Sequence, residues 1–168
     1  MKKTKQSAET LYDQGRIYLQ GDGVECSYEK GILYLKEAAD LGHVKAQYNL
    51  GIFLHQGIGT KQSFEEACQY FELAAKQKYP EALFQLAQTY SNESGVEKNW
   101  EKVADFLKGA VKGGHVEAHF HLAQMYLEGR GVKKDNVKAK ELLQWVVDSP
   151  SSGCEASLAR EMLVKIDP

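Results

Sequence analysis

AQYNLGIFLHQGIG occupies residues 46–59, and AHFHLAQMYLEGRG occupies residues 118–131. Both run from Ala to an aromatic ring two residues on, then to Leu with a small residue beside it, and close on Gly-x-Gly. Residues 82–95, ALFQLAQTYSNESG, keep the frame but put Glu93 where the first glycine stands. Gly23, Gly59, Gly95 and Gly131 recur every 36 residues, and so do Leu50, Leu86, Leu122 and Leu158. Tyr18, Leu54, Tyr90, Tyr126 and Met162 keep the same step. One period shared by this many columns means a repeat array. The units fall at about 7–42, 43–78, 79–114 and 115–150, with a capping helix at 152–166.

Each unit predicts two helices. Ala46, Leu50, Phe53 and Leu54 make one apolar stripe on the first helix. Gly57-Ile58-Gly59 ends it, since glycine takes the positive φ that stops a helix and turns the chain. Ser27, Ser63, Asn99 and Asp135 then open the second helix, all of them good N-cap residues. Ser63 with Glu66 makes a capping-box pattern. Tyr34, Tyr70, Phe106 and Leu142 are expected to fill the wedge beside the small pairs Ala38-Ala39 and Ala74-Ala75. Gly42 and Gly114 are expected to close the second helix, and Pro80 and Pro150 to stop it elsewhere. A unit of this kind cannot bury its own apolar face, so the units must stack. The predicted class is an all-α solenoid of antiparallel helix pairs, one domain over residues 1–168.

Charge and cysteine content narrow the setting. The chain has 21 Lys and Arg against 23 Asp and Glu, a formal net charge of −2. That balance excludes a dominant electrostatic footprint for nucleic acid or an anionic membrane. No apolar run approaches the roughly 18–20 residues of a membrane span. Lys2, Lys3 and Lys5 are followed by Glu9, Asp13 and Arg16 instead of the apolar core of a signal peptide. Cys26, Cys68 and Cys154 are odd in number and widely spaced, which suggests neither a disulfide framework nor a metal knuckle. The expectation is a reduced, cytoplasmic, monomeric protein without a cofactor.

The motif Ala46-Gln47-Tyr48-Asn49-Leu50-Gly51, then Gly57-x-Gly59, Ala67 and Ala74-Ala75, resembles the Sel-one-like repeat, a relative of the tetratricopeptide repeats. Ala118 to Tyr126 with Gly129-Arg130-Gly131-Val132, Asp135 and Lys138-Ala139 resembles it again. The resemblance implies a right-handed superhelix used as an adaptor or scaffold for protein contacts, with the first helix of each unit lining the concave face. Some secreted members carry one disulfide per repeat; this chain lacks the paired cysteines.

On that helix, residues two, six and nine after the Ala column point away from the core stripe at 100° per residue. They are Tyr12, Arg16 and Leu19; Tyr48, Ile52 and His55; Phe84, Gln88 and Ser91; and Phe120, Gln124 and Leu127. The rings Tyr12, Tyr48, Phe84 and Phe120 read either as an exposed ladder of anchors for a partner peptide or as packing between adjacent first helices. Arg16, His55, Gln88 and Gln124 are the better candidates for specificity. Trp145 stands where other units have Glu37, Leu73 and Gly109, so it is either a hot spot or a lid over the last helix. Trp100, with Tyr28 and Phe64, opens a second helix and reads as repeat-defined packing.

Chemical motifs are sparse. Ser27-Tyr28-Glu29-Lys30 matches the S-x-x-K of penicillin-binding enzymes, but the companion S-D-N and K-T-G elements are missing and Ser27 lies in the N-cap column. Gly21-x-Gly23 and Gly129-x-Gly131 lack the third glycine of a dinucleotide loop. His115 and His119 have the i, i+4 spacing of a metal pair, yet a solvated or capping histidine explains His115 as well. Arg130, Lys133, Lys134, Lys138 and Lys140 are interleaved with Glu128, Asp135 and Glu141, the pattern of a solvated face. The expected function is a non-enzymatic module that binds a polypeptide, either a scaffold or a dedicated inhibitor such as an immunity protein. The alternative is a hydrolase or cell-wall-active enzyme of the penicillin-binding type.

Overall fold

The computed structural model of the chain describes residues 6–91, 97–150 and 153–166. Among these residues there are nine helices and no strands: α1 (Ala8–Gln20), α2 (Tyr28–Asp40), α3 (Val44–Gln56), α4 (Phe64–Lys76), α5 (Pro80–Ser91), α6 (Trp100–Lys112), α7 (Val116–Glu128), α8 (Asn136–Asp148) and α9 (Gly153–Ile166). The fold is a helical repeat solenoid. Odd-numbered helices are the first of each pair, even-numbered ones the second, and α9 is the final half unit. Gly95 and Glu93 lie outside the described residues. By packing, the chain divides into two compact units, Met1–Gln77 and Lys78–Pro168.

The caps are as regular as the period. Ser27, Ser63, Asn99 and Asp135 have extended backbones, with φ of −146°, −149°, −144° and −153°. Their side-chain oxygens accept from the backbone N–H three residues on, at 3.3, 3.3, 2.9 and 3.0 Å. One of the N–H groups orphaned at each helix start is thereby satisfied. Three of the first helices, α1, α3 and α7, are capped too. Ser7 accepts from Thr10, while the Nδ1 atoms of His43 and His115 accept from Ala46 and Ala118 at 3.1 and 3.3 Å.

The end of the second helix corrects one expectation. Pro80 does not stop α4; it is the first residue of α5, where a missing N–H costs nothing. What ends α4 is Lys78, whose φ of +61° makes it the only non-glycine with a positive φ among the described residues. Lys78 occupies the column of Gly42 and Gly114, which turn left-handed at +87° and +80°. The next member of that column is Pro150, whose ring forbids this conformation. There α8 ends on Ser149 in extended backbone, as the residue before a proline should.

In the first unit the core centres on Leu35 and Phe71, both 0% exposed. A Cβ on Gly51 would lie 2.5 Å from the Phe71 ring, so the small residue beside Leu50 makes room for it. In the second unit Leu107 and Leu143, in the same column, are 3% and 0% exposed. This is a second correction: the wedge is filled by Leu35, Phe71, Leu107 and Leu143, while Tyr34, Tyr70, Phe106 and Leu142 are half-buried. Ala38, Ala74, Ala110 and Val146 are all fully buried on the same side of the second helices. Each fully buried Leu or Phe contributes about 1.5–3 kcal/mol relative to exposure.

The closing glycines have two causes. Gly131 has φ +64°, and a Cβ there would lie 2.2 Å from the backbone oxygen of Trp100. Gly23 has φ +70° and nothing within 4 Å. Gly23→Ala is therefore expected to lose about 1 kcal/mol, the cost of a left-handed backbone. Gly131→Ala should lose about 2 kcal/mol more, since a backbone carbonyl cannot yield. Lys78→Gly should gain about 1 kcal/mol by relieving the same strain. Urea denaturation with an unchanged slope checks all three; equal losses at Gly23 and Gly131 would remove the close-approach explanation.

Candidate binding grooves on the first helices

In the first unit, α1 and α3 enclose a groove of about 310 Å³ lined by Tyr12, Arg16, Leu19, Asn49, Ile52 and Phe53. The Asn49 amide donates to the Tyr12 hydroxyl at 3.3 Å. The Arg16 guanidinium sits 6.0 Å from the Tyr12 ring centre and pairs loosely with Asp13 at 3.8 Å. Both Arg16 and Asp13 are well exposed, so this ion pair adds little to stability.

In the second unit, α5 and α7 enclose a larger groove of about 400 Å³. Phe84, Gln88 and Ser91 line it from α5, and His121, Gln124 and Met125 from α7. Trp100 on α6 lines it too, together with Lys98 and Arg130.

The two grooves are one site built twice. Two repeat lengths carry Tyr12 to Phe84, Arg16 to Gln88, Leu19 to Ser91, Asn49 to His121, Ile52 to Gln124 and Phe53 to Met125. The predicted positions Tyr12, Arg16, Leu19 and Ile52 come together in the first groove, and Phe84, Gln88, Ser91 and Gln124 in the second. Sequence reasoning missed Asn49, Phe53, His121 and Met125, which sit one residue beyond the wheel positions it chose.

The aromatic column packs; it does not form an exposed ladder. Phe84 and Phe120 are only 6% and 8% exposed, and Tyr12 and Tyr48 are half-buried. The capping histidine of the next first helix stacks on the ring. His43 lies on Tyr12 at 4.3 Å and 20°, and His115 on Phe84 at 4.3 Å and 26°. Phe120 instead joins a cluster with Ala123, Ala139, Leu143 and Ala159, and Leu127 packs against that cluster. Tyr48 tilts against Phe71 at 6.0 Å. His55 meets the edge of Phe64 at 5.1 Å and lines neither groove.

Trp145 covers a histidine. Its ring stacks on His119 at 3.6 Å and 5°, and the tryptophan remains 39% exposed. Trp100 is half-buried, packed against the core, and also lines the groove.

The catalytic-looking motifs resolve into structural contacts. The Ser27 hydroxyl accepts from the Lys30 backbone N–H, while the Lys30 ammonium lies 5.4 Å from the Tyr18 ring centre. His115 uses its Nδ1 as a cap, and His119 bonds through Nδ1 to the His115 carbonyl at 2.8 Å. Among the described residues, no group of three or more His, Cys, Asp or Glu side chains is placed to hold a metal ion. Among the same residues, no helix is long and apolar enough to cross a membrane.

The model of the Sel1 repeat matches residues 8–43, 44–79, 80–103 and 116–144. No curated protein sequence matches the chain. Among solved structures, the chain is similar to a Sel1 repeat protein from Oxalobacter formigenes, with 24% identity and a TM-score of 0.86, over 95% of this chain and 45% of that one. It is similar to c5321, a protective antigen of uropathogenic Escherichia coli displaying an SLR fold, with 26% identity and a TM-score of 0.50, over 95% and 41% of the two chains. It is also similar to Helicobacter pylori cysteine rich protein B, with 21% identity and a TM-score of 0.54, over 70% and 91%. The chain spans less than half the length of the first two.

The cap histidine gives a pH signature. Burial pushes His115 below the ordinary histidine pKa, with Glu117 and Glu81 opposing in part. Burial also pushes His119 down, against the hydrogen bond to the His115 carbonyl. Unfolding frees both to take a proton, so their contribution is complete above the usual 6.5 and is lost as pH falls below it. The thermal midpoint is expected to drop between pH 7.5 and 5.5, and the double variant His115→Asn/His119→Gln to flatten that drop. Asn keeps the cap, so a variant as steep as wild type would contradict the assignment.

Proposed function

Because the chain belongs to the Sel1 repeat family, we propose that it is a non-enzymatic interaction module that holds a polypeptide segment of a partner protein in the grooves of its first helices. The supporting observation is the duplicated groove. Each unit carries a concave site at equivalent positions, with apolar rings at its base and polar side chains facing solvent. Binding sites of this composition suit peptides, whose main chain needs hydrogen-bond partners and whose side chains need pockets.

The division of labour is legible in the exposures. Phe84 is spent on packing, whereas Gln88 is exposed and Gln124 half-buried at the groove wall. The amides are free to serve recognition without loss to the fold. In the first groove Arg16 and Ile52 hold the corresponding places. The hydrolase alternative needs a nucleophile, a base and an orienting group in mutual reach. Ser27, its strongest candidate, is engaged as a helix cap. We place the module in the cytoplasm as a monomer, acting as an adaptor that joins two components or as an inhibitor of a single target.

Affinity capture from the native extract tests the reading. Wild-type protein is expected to retain a partner that Gln88→Ala/Gln124→Ala and Arg16→Ala/Ile52→Ala each retain less well, by about ten-fold in affinity for the pair. Circular dichroism should show all three chains equally folded. Undiminished retention by both folded variants would move the interaction to another surface.

A further inference from the structure

We propose that the α5–α6–α7 groove selects an acidic stretch of the partner, with carboxylates meeting Lys98 and Arg130 and the main chain meeting Gln88 and Gln124. This rests on reading the groove as a polypeptide site and adds the chemistry of the occupant.

The first unit supplies the internal control. Where the groove of the second unit has Lys98, Trp100 and Arg130, two repeats earlier the chain has Cys26, Tyr28 and Ile58. Repeat packing therefore does not require a cation at either position. Both cations are held by the same ring. The Lys98 ammonium lies 4.9 Å and the Arg130 guanidinium 4.7 Å from the centre of Trp100. The negative face of the indole restrains such cations without neutralising them.

Of the charged groups among the described residues that line the groove, Lys98 and Arg130 are cations and Glu128 is an anion. Glu128 pairs with Arg130 at 2.8 Å, and both side chains are about half exposed. Among the described residues, no carboxylate pairs with Lys98. An arriving carboxylate finds Lys98 open and competes with Glu128 for a guanidinium fork suited to bidentate contact. On the groove walls, Gln88 and Gln124 come from facing helices. Each offers an N–H pair and a carbonyl to the unpaired groups of an extended chain. The two cations on Trp100 and the amide walls together favour a peptide bearing Asp or Glu over a neutral or basic one.

Random peptides of about twelve residues, displayed on phage and panned against the intact chain, test this. Selected sequences should be enriched in Asp and Glu. The best of them, made synthetically and labelled for anisotropy, should lose about ten-fold in affinity or more with Lys98→Glu/Arg130→Glu. It should also weaken as salt rises and perturb Trp100 emission, a change absent from Trp100→Phe. Lys133→Glu/Lys134→Glu, a basic pair that does not line the groove, should bind as wild type does. Neutral or basic selected peptides that still depend on Gln88 and Gln124 would overturn the acidic preference and leave the groove reading standing. Acidic peptides indifferent to the Lys98/Arg130 reversal would overturn it as well. Failure to select any peptide would overturn both.

Discussion

Closeness between backbones, made possible by side chains too small to hold them apart, is the constraint on which this molecule depends. Ala46, Ala82 and Ala118 on the first helices are fully buried, as are Ala38, Ala74 and Ala110 on the second. A larger side chain at any of them would push two helices apart and open the contacts on either side. At Gly131 the tolerance is smaller still, because the turn of one repeat rests on the backbone of Trp100 in the repeat before. Within the first unit, Gly59 rests in the same way against Tyr28.

The grooves follow from that stacking. When two first helices within a unit pack, the ring two residues after the Ala column meets the histidine capping the next first helix. One imidazole then does two jobs, accepting the N–H of the third residue of its own helix and covering the ring behind it. The groove wall begins where this stack ends. Residues one turn further along each first helix are exposed or half-buried, and packing constrains their identity less. Arg16 and Gln88 differ for that reason, as do Ile52 and Gln124. Variation of that kind lets one scaffold serve different partners.

Much of the fold was legible because the repeat supplies its own alignment. Ser27, Ser63, Asn99 and Asp135 could be placed as caps from spacing and residue type, and every one caps. What sequence reasoning misjudged was local geometry that the period does not encode. Proline stops a helix or starts one with equal ease, and only Lys78 in the left-handed column shows which occurred at Pro80. Tyr34 and Leu35 are neighbours, and a small rotation of the helix decides which of them enters the wedge. The lining of the candidate grooves was legible in part. A wheel at 100° per residue found Gln88 and Gln124, but it treated each helix alone. It could not see that Trp100, Lys98 and Arg130, from a second helix and two loops, line the same groove.

Site-specific photocrosslinking in the living cell tests the central claim most directly. Benzoylphenylalanine placed at Gln124, on the groove wall, is expected to capture a partner polypeptide on irradiation. The same group at Leu33, which is 63% exposed on α2 and outside both grooves, is expected to capture none. Crosslinking from Leu33 with none from Gln124 would contradict the account, because the partner would then lie on the second helices.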